Sequence, residues 1–240
     1  MRLKHGAATD VGMLRQSNED SFSAEGELFV VADGMGGHNA GEVASALAIT
    51  TMKAGARNGV HGPAQFRDLV QQANTAIYTA SLDDSAQAGM GTTVTAMTVL
   101  PGEEPRVMVA NVGDSRTYLL REGHLRRVSV DHSYVQELVN EGIITPEEAR
   151  VHPRRNIVTR ALGIDRSVNV DVFVQEVRTG DRLVLCSDGL VDEVSDADIL
   201  TVLRQHSDPQ ECAEALVMVA NANGGRDNTT VIVVDVADDI

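Results

Sequence analysis

Short, nearly continuous apolar runs alternate with amphipathic helical patterns along this chain. Leu28-Phe29-Val30-Val31-Ala32 ends in Asp33-Gly34, so a strand delivers an acid to a tight turn. Asn39 with Glu42 three residues later reads as a capping box. The helix that it opens places Val43, Leu47, Thr50 and Ala54 on one face. A second helix is predicted over about residues 64–82, with Phe66, Leu69, Val70, Ala73 and Ile77 inward. Strands then dominate. Residues 92–100 and 106–112 are rich in β-branched side chains, and the second run ends at Gly113-Asp114. Residues 116–121 and 124–130 flank Glu122-Gly123, a hairpin turn, and Val recurs at period two over 168–174. Residues 182–186 form a buried strand that runs into Ser187-Asp188-Gly189. Ser195 caps a helix carrying Ile199, Leu200 and Leu203. Asp208-Pro209 with Glu211 starts another, carrying Cys212, Leu216 and Val219, and Asn223-Gly224-Gly225 stops it. Residues 229–236 form a last strand. Strands in series with helices in pairs predict antiparallel sheets covered by helices.

Residues 131–163 interrupt this pattern with two short helices, one around 135–140 and one capped by Thr145 with Pro146 at its first position. The segment is long for a connection, which marks a flap or lid.

At 240 residues and 42% hydrophobic the chain can bury a core, but aromatics are only 3%, so that core rests on aliphatic side chains. The net charge of −15, from 20 Lys and Arg against 35 Asp and Glu, excludes a cationic nucleic-acid surface and suits a protein that gathers cations. Cys186 and Cys212 form no disulfide framework or zinc pattern, and a reducing compartment is the simplest expectation. No signal peptide and no membrane-length apolar run is present in the sequence given.

Three acids share one placement, at the end of an apolar strand beside a glycine: Asp33, Asp114 and Asp188. A fourth, Asp227, precedes the last strand. Singly, each reads as a turn or strand-end cap. Together they offer the oxygen donors that Mg2+ and Mn2+ prefer, and the neighbouring glycines let backbone carbonyls approach an ion.

In order along the chain stand Gly12-x-x-Arg15-x-x-Asn18-Glu19-Asp20, Ala32-Asp33-Gly34-Met35-Gly36-Gly37-His38, Gly91-Thr92-Thr93, Gly113-Asp114-Ser115-Arg116, Ser187-Asp188-Gly189-Leu190 and Asp227-Asn228. This ordered set resembles the metal-dependent serine/threonine protein phosphatases of type 2C, in their bacterial form, over about residues 5–236. The resemblance implies an α+β fold, a four-layer sandwich of two antiparallel β-sheets flanked by α-helices. It also implies one catalytic domain over 1–240 with a flap subdomain at about 131–163. By the same match Asp33 would bridge two Mn2+ or Mg2+ ions, Asp188 and Asp227 would complete the first site, and the Gly34 carbonyl would serve the second. Glu19 and Asp20 would hold waters around the ions, Asp114 with Asp188 would carry a third ion, and Arg15 would clamp the substrate phosphate. A water activated between the two ions would then hydrolyse phosphoserine or phosphothreonine without a covalent intermediate.

The chain departs from the eukaryotic pattern at Met35, where many such members carry the histidine proposed as general acid. His38 could protonate the leaving alkoxide, a water on the ions could, or His38 could be an ordinary helix-entry residue. Residues 150–160 hold four Arg and no acid, and these either draw phosphopeptides or pair with the protein's own acids. The implied partners are phosphorylated proteins, namely Ser/Thr kinases and their substrates. The chain is expected to be a cytoplasmic monomer, or the cytoplasmic part of a longer, membrane-anchored protein. Two rival readings are a regulatory module that has kept the fold without turnover, and a metal-dependent nuclease. Retention of every metal acid speaks against the first, and the acidic balance against the second.

Overall fold

Strands whose apolar residues run without interruption are strands buried on both faces. In the computed structural model, which describes residues 1–36 and 40–238, β3 (Leu28–Met35) sends Phe29 and Val31 to one side and Leu28, Val30 and Ala32 to the other. β10 (Arg182–Cys186) and β11 (Thr229–Ala237) divide in the same way. Leu183, Leu185, Ile232 and Val234 pack with Phe29 and Val31 between the sheets, while Val184, Cys186, Val231 and Val233 pack under helices.

The first sheet has the order β1 (Arg2–Asp10), β11, β10, β7 (Arg116–Arg121), β8 (His124–Arg127). The second has the order β2 (Asp20–Glu25), β3, β5 (Val94–Leu100), β6 (Arg106–Val112), β9 (Asp171–Glu176), with the short β4 (Gly91–Thr92) on the end of β3. Each of these pairings is antiparallel. Helices α1 (Ala40–Gly55) and α2 (Pro63–Asp83) cover the second sheet. Helices α5 (Asp188–Glu193), α6 (Asp196–Gln205) and α7 (Pro209–Ala222) cover the first. The result is the expected four-layer α+β sandwich. Among the described residues no helix is long and apolar enough to cross a membrane.

Local signals account for most element ends. Ser195 and Asp208 cap α6 and α7 by accepting backbone N–H bonds, and Glu122 and Gly123 both take positive φ in the β7–β8 hairpin. In residues 131–163, Ser133 caps α3 (Tyr134–Asn140), and Thr145 forms a capping box with Glu148 at α4 (Pro146–Arg150). That segment is tied down at its base by the bridges Ser133–Val158 and Thr92–Leu162.

Four expectations shift, the first being that β8 ends at Arg127, short of residue 130. The buried face of α1 includes Gly41, Ala44, Ser45, Ala48, Ile49 and Met52, whereas Val43, Thr50 and Ala54 are exposed. The reason is proximity: a Cβ on Gly41 would lie 2.8 Å from the Glu19 carboxylate and from the Gly34 backbone, so only small residues fit there. The strand expected over 92–100 breaks at Thr93, whose side chain is drawn to Ser115, just ahead of β7, at 2.7 Å. β9 begins at Asp171, later than the alternating valines suggest, because Val168 and Val170 join the core under α2. His38 and Asn39 lie outside the described residues.

Candidate active site

The antiparallel pairing of β2 with β3 sets Asp20 directly opposite Asp33, two like charges on one face of a sheet. Such a pair is destabilising unless something neutralises it. Asp20 is buried, and its Oδ2 accepts from Ser187 Oγ at 2.8 Å and Thr230 Oγ1 at 2.7 Å. Its Oδ1 has no partner among the described residues. Asp33 is held by its backbone, its N–H donating to Thr93 Oγ1 (3.2 Å) and its carbonyl accepting from Thr92 Oγ1 (2.8 Å) and the Thr93 N–H (2.9 Å). The side chain is thereby left for the cavity.

A cavity of about 470 Å³ opens at this end of the sandwich. Arg15, Glu19, Asp33, Gly34, Asp114, Asp188 and Asp227 all line it, so residues far apart in the chain meet there. Asn156, Ile157 and Val158 form a further wall. Two close approaches build the floor. A Cβ on Gly34 would stand 2.2 Å from the Gly41 carbonyl oxygen, and one on Gly189 would stand 2.0 Å from the Asn228 carbonyl oxygen. Glycine at these positions lets the strand-end acids converge.

The electrostatics are those of crowded carboxylates. Burial, then Asp20 and Asp188, holds the Asp33 carboxyl well above its usual range. Burial, then Asp114, Asp192 and Asp227, does the same to Asp188. Burial, reinforced by Asp131, pushes Asp114 up to about 7, and burial pushes Asp20 up to about 6. The nearby cation is Arg15, whose Nη2 donates to Asp227 Oδ2 at 2.5 Å. Asp227 Oδ1 accepts from the Asn228 N–H at 2.8 Å. Among the described residues, no three His, Cys, Asp or Glu side chains are gathered tightly enough to hold one ion in this arrangement. The donor set nevertheless fits hard divalent cations. It is all oxygen, it carries an orphaned buried carboxylate oxygen on Asp20, and Arg15 balances its like charges at one edge.

Two residues whose role the sequence left blank prove important to the geometry. Asn228 accepts from the Glu19 N–H at 2.8 Å and donates to the carbonyls of Val11 and Ser17 at 2.9 and 3.0 Å, clamping the loop that carries Arg15 to the start of β11. Thr93 links Asp33 to Ser115 across the sandwich. Both stand in the ordered motifs, but nothing local to them announces such contacts.

The sequence profile described as Protein phosphatase 2C matches residues 14–224. The chain belongs to the protein phosphatase 2C family. Its similarity to the serine/threonine protein phosphatase PstP of Mycobacterium tuberculosis is 44% identity over 98% of this chain, which spans 45% of the PstP length. It is 38% identical to the serine/threonine phosphatase Stp of Listeria monocytogenes, covering 95% of this chain and 93% of that protein. The M. tuberculosis PstP crystal structure matches with a TM-score of 0.92 at 42% identity, over 98% of this chain and 99% of that one. A structure of the PstP catalytic domain in complex with two manganese ions matches with a TM-score of 0.88 over the same shares.

Proposed function

We propose that this chain hydrolyses phosphoserine and phosphothreonine in proteins, using two Mn2+ or Mg2+ ions. The observation that carries the reading is the convergence of Asp33, Asp188, Asp227 and Arg15 on one cavity, acids and an arginine from sequence-distant positions. Asp33, Asp188, Asp227 and the Gly34 carbonyl would hold the pair of ions, Glu19 and Asp20 would orient waters around them, and Asp114 with Asp188 would hold a third. Bound there, the ions supply a nucleophilic water at neutral pH and positive charge beside the phosphoryl oxygens. Arg15, half-exposed at the rim, is placed to exchange its bond to Asp227 for a phosphate oxygen. Water would then attack phosphorus in line with the departing Ser or Thr oxygen, forming inorganic phosphate as the P–O bond to the side chain breaks. The leaving alkoxide would take its proton from His38 or from a water held by the ions.

Residues 131–163 act as a flap, because Asn156, Ile157 and Val158 wall the cavity that a phosphoprotein must enter. The partners are phosphorylated proteins, among them Ser/Thr kinases and their substrates, met by a monomer in the cytoplasm. Two free cysteines, both buried, accord with a reducing compartment. The test is hydrolysis of phosphothreonine peptides across a Mn2+ titration. Activity is expected to vanish on chelation with EDTA and to return with Mn2+ or Mg2+; full activity after rigorous chelation would overturn the reading.

A further inference from the structure

A second cavity, of about 300 Å³, lies between α3 and α4 on one side and β7 and α5 on the other. It shares Asp114 and Asp188 with the catalytic cavity, so the two adjoin. Its remaining wall is mixed, and the state of each polar group decides what it can receive. Arg116 grips Asp131 (Nη2 to Oδ2 2.7 Å), and Arg127 donates to the same carboxylate at 3.0 Å and to Gln136 Oε1 at 2.6 Å. Gln136 passes its own amide N–H to Asn140 at 2.9 Å. Asp196 accepts from the Tyr118 hydroxyl at 3.1 Å, Arg155 lies 3.5 Å from Asp192, and Arg150 reaches the Val191 carbonyl at 3.5 Å. Asp114 and Asp188 are committed to the ions on the reading above. A charged side chain entering this cavity would compete with these contacts, and breaking an ion pair would leave a partly buried charge behind, which is costly. What remains for an occupant is the apolar surface of Val135, Val139, Pro146, Ala149 and Val191. An aliphatic side chain loses nothing there except water.

We infer that this cavity is a subsite for an aliphatic side chain of the substrate protein, on a residue flanking the phosphorylated one. The inference rests on the phosphatase reading and deepens it. Adjacency across Asp114 and Asp188 argues for an occupant that is part of the substrate, since a chain whose phosphoryl group sits over those acids passes beside this cavity. The volume admits a Leu, Ile or Met side chain together with water. The subsite is built jointly by the body of the protein and by residues 131–163. It therefore gives that segment a role in choosing sequences, beyond shielding the phosphoryl group.

The experiment is positional scanning of phosphothreonine peptides, with Mn2+ present, on the wild-type chain and on two variants. Ala149→Phe fills the cavity and Val139→Asp charges its floor. In the wild-type chain, Leu, Ile or Met at one flanking position should raise kcat/KM at least about five-fold over Ala, Lys or Glu at that position. Both variants should bring that ratio close to one. The ratio is taken within each variant, so a general loss of activity does not disturb it. Peptides all hydrolysed at similar rates by the wild-type chain, a preference for a charged residue, or a preference that survives both variants would overturn the subsite while leaving the phosphatase intact. Failure to hydrolyse any peptide would overturn the phosphatase reading and the subsite with it.

Discussion

Asp33 has its backbone N–H and carbonyl bound by the Thr92-Thr93 pair, and its side chain faces the cavity and the other acids there. Replacing it leaves the backbone contacts in place but takes away the acid shared by both proposed ions. Asp33→Ala and Asp188→Ala should therefore cut kcat by about three orders of magnitude or more while circular dichroism stays native. Arg15 differs. Its ion pair is with Asp227, made from a half-exposed position, so Arg15→Ala should act mainly on substrate binding. A rise in KM for phosphopeptide of roughly ten-fold, with a smaller change in kcat, is expected from steady-state kinetics. A fall in kcat at unchanged KM would remove the phosphate clamp from the scheme. Asp33, Asp114 and Asp188 are legible in the sequence because each ends an apolar run next to a glycine, a local pattern. Asn228 and the Asp20–Asp33 opposition are not, because they depend on which strand ends meet. Asn228 holds Glu19 from 209 positions away in the chain.

At the scale of elements, caps and apolar runs locate strands and helices well, since both are set by neighbours in sequence. The face of α1 escapes that logic. Apolar size points to Val43 and Leu47, whereas close approach to β2 and β3 selects Gly41, Ala44 and Ala48. The same tightness recurs where α5 meets the start of β11. Gly189→Ala would put a methyl 2.0 Å from the Asn228 carbonyl and displace the Asp227-Asn228 turn. A loss of about 1–3 kcal/mol in stability is expected from denaturant unfolding, together with weaker Mn2+ binding by calorimetry. Of the two readings the sequence allowed for the arginines of residues 150–160, the contacts observed for Arg155 and Arg160 are pairings with the protein's own acids. Arg155 and Arg160 pair with Asp192 and Asp171, while Arg154 lies 5.6 Å over the Tyr134 ring. These contacts hold the wall formed by Asn156 to Val158 against α5 and α3. Replacing Arg154 and Arg155 together by Ala should thus lower phosphoprotein turnover several-fold more than turnover of a small chromogenic phosphate ester. Equal losses on both substrates would reduce the segment to ordinary structure.

Across the whole molecule, the excess of negative charge and the buried acids make one argument. A carboxyl whose folded pKa lies above its unfolded value favours the folded state only while it is protonated. Asp20, pushed up to about 6, and Asp114, pushed up to about 7, therefore contribute stability at low pH that is lost as pH rises from about 4 through 7. Asp33 and Asp188 add to the same trend, for their carboxyls also sit well above the usual range. The ion-free fold is thus strained near neutrality by the acids that the proposed reaction needs. Divalent cations relieve that strain by binding the ionised forms, so their stabilising effect must grow with pH while protons compete with them at low pH. Calorimetric melting between pH 5 and 8 should accordingly show a negative dependence of Tm on pH in EDTA, which flattens or reverses with saturating Mn2+. Asp114→Asn supplies the internal control, because removing one titrating group should lessen the slope in EDTA without altering the fold. If the slope in EDTA were the same in that variant, Asp114 would carry none of this strain, and its place in the electrostatic account of why this cavity attracts cations would fail.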